Sequence, residues 1–431
     1  MFWNEKSETL DRADLEKLQL QKLRETLKLA AGTSFYGQLF AENKIDISKV
    51  TSLDHLKDFP FTKKTDLRTS YPDGMIAVDK KEIVRMHASS GTTGKSTVIF
   101  YTQHDIDEWS DQVARSLTAT GITPNDVFQN MMGYGLFTGG LGMHLGAERL
   151  GCMVIPASTG NTLKQIQLME DFHTTAMHIT PSYALHLADS IREQGVDPAE
   201  LNVRKAFLGA EPYSVGVKHK VEEQWNLDAY NSYGMSEMNG PGVAFECEYK
   251  DGMHLWEDFY IIEIIDPETL ENLPDGEEGE LVLTHINRRA MPLIRYRTRD
   301  LTRVIPGVCP CGRTHRRIDR IKGRSDDMLI VGGVNVFPSQ IETVLMKIPE
   351  VGNNYQILLN RVNNLDRLNL KVELKTNDLF GNENELRCLQ SKISAEVIAL
   401  ITVTPRLELL SPGTLPASTG KAVRVIDNRE I

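Results

Sequence analysis

Leucines recur at helical spacings near the start of the chain, at positions 10, 15, 18, 20, 23, 27 and 29. This spacing predicts one amphipathic helix over the first thirty residues. After it, helical stretches alternate with short β-branched segments, of which 154–157, 176–180 and 203–209 are examples. Such alternation favours layers of helices and sheets, with the sheets largely parallel.

The pattern changes near residue 259, where two strand-like segments, 260–266 and 279–284, flank a turn-rich stretch. This change predicts a smaller β-rich subdomain that completes the first large unit. A second boundary is expected at the short polar segment 323–327. The chain is therefore predicted to be an α/β protein. It has a large N-terminal domain (1–325) of several subdomains with layered sheets and helices, and a small α+β C-terminal domain (326–431), joined by a hinge.

Within the C-terminal domain the pattern predicts strands near 355–360 and 368–375 and a helix near 384–400. Another helix is expected to begin near Ser339, because Ser339 and Glu342 have the spacing of a capping box.

Composition narrows the class of protein. Hydrophobic residues make up 41% and charged residues 25% of the 431 positions, which is typical of a globular chain. The net charge of −11 argues against nucleic acid or an anionic membrane as the main partner. Neither a targeting segment nor a run of 18 apolar residues is found, so no membrane insertion is expected. Five cysteines are too few for a disulfide framework, and we expect a reducing cytoplasm, with Cys152 and Cys388 in the core.

The segment 87–97 carries two glycines and several hydroxyls around Lys95, a composition typical of a loop that binds phosphate oxygens. A Walker A loop requires glycine where this chain has Ser89, so a phosphoryl-transfer enzyme with a P-loop is the weaker hypothesis. The predicted phosphate contacts are Ser89, Ser90, Gly91, Thr92, Thr93 and Gly94.

This loop and four later motifs, in the same order, resemble those of the adenylate-forming enzymes. These motifs are Tyr-Gly-Met-Ser-Glu (233–237), Tyr-Arg-Thr-Arg-Asp (296–300), Gly-Arg-Ser-Asp-Asp (323–327) and Pro-Ala-Ser-Thr-Gly-Lys (416–421). Segment 132–144 and the short chain further resemble the phenylacetate–CoA ligases and, more broadly, aryl-acid–CoA ligases. The resemblance extends over essentially the whole chain.

The resemblance implies ATP-dependent ligation of an aryl acid, with phenylacetate first, to coenzyme A through an acyl-adenylate. Alternatives are a ligase for an indole acetate, hydroxyphenylacetate or benzoate type of acid, and an adenylating enzyme that does not use CoA. A non-catalytic protein that keeps the fold is a further alternative, against which Lys421, Glu237 and Asp300 argue. A homodimer is expected from the same resemblance and from the leucine-rich N-terminal helix.

The resemblance also assigns residue roles. Lys421 is the catalytic cation at the α-phosphate, Glu237 holds Mg²⁺, and Asp300 accepts the ribose hydroxyls, although an arginine of its own motif could pair with Asp300 instead. Asp326 is the hinge. The remaining nucleotide contacts are Gly209, Ala210, Glu211, Pro212, Ser232, Tyr233, Gly234, Met235, Ser236 and Arg324. The acid pocket is assigned to Tyr134, Phe137, Ala210 and Met235.

Cysteine and histidine spacing predicts a metal site that the resemblance does not require. Cys309 and Cys311 lie close together in sequence, and Cys247 and His254 precede them. Three thiolates and an imidazole form a plausible tetrahedral zinc set, which predicts a structural Zn²⁺ site. His315 could replace one of these ligands.

Overall fold

The computed structural model describes residues 1–89, 96–331, 334–362, 365–416 and 423–429. The α/β prediction is confirmed. The α-helices are Glu5–Glu8, Arg12–Ala31, Ser34–Glu42, Lys64–Thr69, Gln103–Ala119, Thr138–Leu150, Thr162–Asp171, Pro181–Glu193, Val215–Trp225, Pro338–Leu345 and Glu383–Ile401. Short 3₁₀ helices are Ile47–Lys49, Leu53–Asp58, Lys80–Glu82, Pro198–Glu200, Ser236–Met238 and Asp378–Gly381. None of the helices in these ranges has the length and apolar character needed to cross a membrane.

The strands follow the predicted alternation closely in position. They are Ile83–Ser89, Thr97–Thr102, Val127–Asn130, Met153–Ile155, Ala176–Ile179, Lys205–Leu208, Asp228–Met235, Gly240–Glu246, Met253–Leu255, Tyr260–Ile265, Gly279–His285, Tyr296–Thr302, Val304–Ile305, Arg317–Ile318, Gly323–Arg324, Leu329–Val331, Val334–Val336, Val351–Val362, Leu365–Leu374, Arg406–Leu410 and Val425–Asp427.

The chain forms two compact units. The first comprises Met1–Ser158, Thr175–His178 and Tyr230–Ile321, and the second comprises Thr159–Thr174, Ile179–Ala229 and Lys322–Ile431.

In the first unit, strand Val127–Asn130 pairs in parallel with Met153–Ile155 and with Ala176–Ile179. The other pairings of this unit are antiparallel. Tyr260–Ile265 pairs with Gly279–His285, and this strand pairs with Tyr296–Thr302. The expectation of largely parallel sheets is therefore wrong. Short turns join these later strands, and a short turn allows only antiparallel neighbours.

The N-terminal helix is divided. A short helix, Glu5–Glu8, precedes Arg12–Ala31, whose first turn is capped when the Asp11 side chain accepts a hydrogen bond from Asp14 N. Prediction of one continuous helix over the first thirty residues is wrong at this break, because Asp11 is a strong N-cap residue. Three of the leucines are fully buried against aromatic and aliphatic side chains of this unit, at Leu15, Leu23 and Leu27.

In the second unit, strands Val351–Val362 and Leu365–Leu374 form an antiparallel hairpin. Val425–Asp427 adds to the first strand and Arg406–Leu410 to the second, both in parallel. Helix Glu383–Ile401 buries positions spaced four residues apart, namely Leu389, Ile393, Val397 and Ile401. Cys388 is exposed, so its predicted core position is wrong: residue 388 is rotated about 100° from the buried stripe. Cys152 is buried, as expected.

The helix expected near Ser339 begins at Pro338, with Phe337 at the N-cap. The predicted Ser339–Glu342 capping box is wrong. Ser339 Oγ donates to Lys322 O at 2.6 Å, and Glu342 accepts from Ser214 N at 2.8 Å instead.

Candidate active site and metal centre

A β-hairpin flanks the predicted phosphate loop. Strands Ile83–Ser89 and Thr97–Thr102 are antiparallel, with Ser89 paired to Thr97 at the end of the ladder. A Walker A loop leads from a strand into a helix, so the strand on both sides argues against a P-loop. The predicted contacts Ser90, Gly91, Thr92, Thr93 and Gly94 lie outside the described residues.

Ser89 Oγ and Thr97 Oγ1 are buried, and neither has a hydrogen-bond partner among the residues that the structure describes. Beside them, Leu136 O accepts from Ala88 N at 2.9 Å and lies 3.0 Å from His87 Nδ1. The base of the phosphate loop therefore contacts the segment predicted to surround the acid.

The turn 233–237 is shaped by glycine. A Cβ at Gly234 would lie 2.0 Å from Gly240 O, so no other residue fits without moving the backbone. The pairing of strands Asp228–Met235 and Gly240–Glu246 shifts register between Tyr233 and Gly234, while Ser232 stays paired to Phe245. This irregularity ends the strand and leads into the short helix Ser236–Met238.

Asp300 lies at the start of this turn in space. The Tyr233 hydroxyl donates to Asp300 Oδ2 at 2.6 Å, and Asp300 N donates to Thr298 Oγ1 at 3.0 Å. Both side chains belong to buried residues. A hydrogen bond to an ionised carboxylate is stronger than one between neutral groups, so Tyr233 holds Asp300 in a defined orientation.

Glu237 is buried at the other end of the turn. Its Oε1 accepts no hydrogen bond within the described ranges, while Lys64 Nζ lies 3.4 Å away. Arg288 donates to the Glu237 carbonyl at 2.7 Å and from Nε to Asn239 Oδ1 at 3.0 Å. A buried carboxylate with an available oxygen suits a hard cation such as Mg²⁺.

Lys64 and Arg288 were not expected from the sequence. Both reach the turn from distant parts of the chain, and neither lies in a recognisable motif. Ser236 has further contacts: its Oγ lies 3.1 Å from Thr138 Oγ1, and its carbonyl is 3.4 Å from the Tyr101 hydroxyl. Met235 Sδ lies 3.8 Å from the Tyr233 hydroxyl.

Tyr134 and Phe137, the two aromatics predicted to surround the acid, have different environments. Asn130 Nδ2 donates to the Tyr134 hydroxyl at 3.0 Å, and His144 Nδ1 lies 3.2 Å from the same oxygen. Burial raises the pKa of Tyr134 to about 12, so the phenol is neutral near pH 7. Phe137 is 49% exposed and directly precedes helix Thr138–Leu150.

The predicted contacts Gly209, Ala210, Glu211 and Pro212 lie in the second unit. Ala210 adopts a left-handed φ of 69°, a strained conformation that concentrates at functional loops. Glu211 Oε1 accepts from Ser182 N at 2.7 Å, in the first turn of helix Pro181–Glu193.

Two of the three remaining predicted residues form an ion pair. Arg324 donates to both carboxylate oxygens of Asp326, at 2.9 and 3.0 Å, in the second unit. Lys421, the predicted catalytic cation, lies outside the described residues.

The four predicted zinc ligands come together in the first unit. The ligand atoms of Cys247, His254, Cys309 and Cys311 all lie within 4.8 Å of one another. The Sγ atoms of Cys247 and Cys309 are 3.6 Å apart, and Cys311 Sγ is 3.3 Å from His254 Nε2. Tetrahedral zinc, with bonds of about 2.3 Å to sulfur and about 2.0 Å to nitrogen, has edges of roughly 3.5–3.8 Å. The observed separations therefore suit zinc.

His315 is occupied elsewhere. Its Nδ1 accepts from Glu257 N at 3.0 Å, and its Nε2 lies 2.9 Å from Ser7 O. The second interaction belongs to a set that attaches the N-terminal residues to the cysteine loop: Arg313 Nε donates to Glu8 Oε2 at 2.6 Å, and Glu8 O accepts from Thr314 N. His254 Nδ1 lies 3.3 Å from His315 O, a contact that orients the ring as second-shell partners of zinc ligands do.

Comparison with known proteins gives full-length similarities. The family model described as AMP-binding enzyme matches residues 16–287, and that of the AMP-binding enzyme C-terminal domain matches residues 333–429. Phenylacetate-coenzyme A ligase of Pseudomonas putida is 48% identical over 98% of this chain and 96% of its own length. The enzyme of the same name from Thermus thermophilus is 44% identical over 100% of both chains.

Among solved structures, 2-hydroxyisobutyryl-CoA ligase in the postadenylation state with 2-HIB-AMP gives a TM-score of 0.94 at 30% identity. That match covers 99% of this chain and 92% of the other. The same enzyme with 2-HIB-AMP and CoA in the thioesterification state gives a TM-score of 0.73 at 31% identity, over 100% and 93% of the two chains.

Proposed function

Because the chain belongs to the phenylacetate–coenzyme A ligases of the AMP-binding enzyme family, we propose that it joins phenylacetate to coenzyme A at the expense of ATP. A carboxylate is a poor electrophile because oxide is a poor leaving group. Transfer of AMP to the acid, with release of pyrophosphate, forms an acyl-adenylate whose leaving group is AMP. The CoA thiol then displaces AMP to form the thioester.

The observation that carries this proposal is the pair of buried carboxylates at the turn 233–237. Tyr233 orients Asp300, and Glu237 keeps an oxygen available among the described residues. In this proposal Asp300 accepts the ribose hydroxyls, and Glu237 holds the Mg²⁺ that neutralises the phosphates of ATP. Lys421 supplies the cation for charge that develops at the α-phosphate.

Other contacts to the nucleotide remain predictions. Ser89, with its buried and unpaired oxygen, supports a phosphate contact at the base of the hairpin loop. The proposal keeps the segment 209–212 and Arg324 as nucleotide contacts, and adds Lys64, because its ammonium lies 3.4 Å from Glu237.

The reaction is tested by a pyrophosphate-release screen of aryl acids with ATP and CoA. Phenylacetate is expected to give the highest kcat/KM, with AMP and not ADP as the second product. A higher value for an indole acetate, hydroxyphenylacetate or benzoate would reassign the acid. Pyrophosphate release without consumption of CoA would identify an adenylating enzyme of another class.

The aromatic acid is proposed to bind beside Tyr134, between the segment 132–137 and the turn 233–236. The contact between Thr138 and Ser236 supports this placement, because it joins the two segments. Tyr134→Ala should raise the KM for the acid and leave the KM for ATP nearly unchanged. Tyr134→Phe is the matched control, since it keeps the ring and removes only the hydroxyl. An unchanged acid KM in Tyr134→Ala would exclude this location.

We propose a structural zinc ion held by Cys247, His254, Cys309 and Cys311. The distances between the ligand atoms support it, and four protein ligands leave no open position for catalysis. Hydrogen bonds from Cys247 and His254 lower the pKa of the Cys311 thiol, against the effect of its burial, and so favour the thiolate that binds a metal.

A boundary at residue 326 remains part of the proposal, with a C-terminal domain (326–431) that moves between the two half-reactions. The separate family models for the two parts support this division. So do the two states of 2-hydroxyisobutyryl-CoA ligase, which are named for the two half-reactions.

Compartment and assembly are further proposals. All five cysteines are free thiols, which supports a reducing cytoplasm and can be tested by cell fractionation. A homodimer is measurable by analytical ultracentrifugation. Its N-terminal leucines give it little support, since Leu15, Leu23 and Leu27 are buried within one chain.

A further inference from the structure

Glu342 is a buried carboxyl group for which the proposed reaction has no role. It lies on helix Pro338–Leu345, is 6% exposed, and accepts a hydrogen bond at 2.8 Å from Ser214 N through Oε2. Ser214 follows the predicted nucleotide segment 209–212 and is the N-cap of helix Val215–Trp225. This contact therefore joins the helix of the C-terminal part to the loop that leads out of the nucleotide segment.

On its other side Glu342 meets the strand that leads away from Lys421. Its carboxyl group is hydrogen-bonded to the Tyr355 side chain. The guanidinium of Arg424 lies 4.5 Å from the Tyr355 ring centre and donates to Asn353 O at 3.1 Å. Arg424 directly precedes strand Val425–Asp427 and comes shortly after Lys421 in the chain.

The charges around Glu342 come from four elements. Burial raises the pKa of Glu342 to about 7, and the nearby carboxylate of Glu211 acts in the same direction. The positive charge of Arg424 and the hydrogen bonds from the 214 N–H and from Tyr355 act in the opposite direction. Lys220, on helix Val215–Trp225, also interacts with the Glu342 charge. The carboxyl group therefore exchanges its proton close to neutral pH.

We propose that Glu342 is a positioning residue of the adenylation half-reaction: it fastens the loop behind the nucleotide segment to the elements that carry Lys421. The inference rests on the proposed function. A group that joins these two parts must release Ser214 if the C-terminal part is to move for the thiol step. Adenylation then needs the contact, and thioester formation needs its loss.

Proton linkage gives the direction of the pH effect. The contact binds the proton more tightly than a free glutamic acid does, so protonation stabilises it. The neutral carboxyl group accepts from Ser214 N and can donate its own O–H to Tyr355. The stabilisation is complete below the ordinary pKa of glutamic acid and is lost as the pH rises through about 7. Rising pH should therefore favour release.

The test measures each half-reaction in single turnovers between pH 6 and 8. Glu342→Ala should slow adenylate formation roughly tenfold to hundredfold, the effect of losing one buried hydrogen-bonded contact. It should leave CoA transfer from supplied phenylacetyl-adenylate within about twofold. Glu342→Gln keeps both hydrogen bonds without titrating. It should restore most of the adenylation rate, and its ratio of the two half-reaction rates should not vary with pH.

Glu350→Gln is the matched control, because Glu350 is exposed in the same part of the chain and removes the same charge. It should behave as the unchanged protein. If Glu342→Ala does not fold, Tyr355→Phe replaces it, with a smaller loss in adenylation alone expected. Equal loss in both half-reactions, or no rescue by Glu342→Gln, would overturn the inference. Failure of the unchanged protein to release pyrophosphate with any aryl acid would refute the proposed function instead.

Discussion

Removal of the proposed zinc ion should loosen the attachment of the N-terminal residues. The double substitution Cys309→Ser and Cys311→Ser deletes two of four ligands from the loop that precedes Arg313. This loop holds Arg313 in place, and the Arg313–Glu8 ion pair has side chains that are 1% and 0% exposed. Loss of the metal therefore threatens a fully buried charge pair as well as the metal–ligand bonds.

The size of the effect follows from that pair. Breaking a buried ion pair by displacing one partner costs about 3–5 kcal/mol. In a unit of this size each kcal/mol lowers the melting temperature by about 2–4 °C, so a decrease of roughly 10 °C is expected. The KM values for the acid and ATP should change little at 25 °C, because the cysteine loop makes no described contact with the turn 233–237.

The measurements are elemental analysis of protein purified without added metal, followed by thermal melting. The unchanged protein should contain about one zinc per chain, the stoichiometry of one four-ligand site. Cys388→Ser is the control, because it removes an exposed thiol and should keep both metal and stability. A metal content near zero, with all thiols titratable in the folded protein, would refute the zinc site. Normal stability of the double variant would refute its structural role.

Three further substitutions test the proposed reaction. Tyr233→Phe removes a buried donor to the Asp300 carboxylate and should raise the KM for ATP roughly tenfold, since such a bond contributes about 1.5–3 kcal/mol; an unchanged KM would contradict the ribose assignment. Lys421→Ala should abolish adenylate formation far more than CoA transfer, and equal losses would give Lys421 another role. Asp326→Pro restricts the proposed hinge and should slow only CoA transfer, measured in single turnovers; wild-type rates for both steps would move the pivot elsewhere.

Much of the fold could be predicted from periodicity. Alternating polar and apolar positions located strands Tyr260–Ile265 and Gly279–His285 to within a residue or two, because both run through a continuous core. Strand direction was not predictable from the same pattern. Pairing direction depends on the connections, and the pattern within a strand carries no information about them.

The metal cluster shows where sequence spacing stops being sufficient. Five residues had suitable chemistry, and spacing alone could not choose four of them. The fold makes the choice through tertiary contacts: both ring nitrogens of His315 are engaged by the N-terminal residues and by Glu257, and His254 is left facing the cysteines. Lys64 and Glu342 were missed as functional candidates for the same reason, because their partners are distant in sequence.

The ribose motif illustrates how a local geometric rule resolves an ambiguity that the sequence left open. Arginines surround Asp300, and an ion pair within the motif was a reasonable alternative. Side chains on a strand alternate between its two faces. Arg297 and Arg299 accordingly share one face and both reach the buried Glu280, at 2.7 and 3.5 Å. Asp300 falls on the other face, where it meets the Tyr233 hydroxyl. Glu280, which belongs to no motif, thus balances the charge of these arginines, and the Asp300 carboxylate is directed towards the turn that carries Glu237.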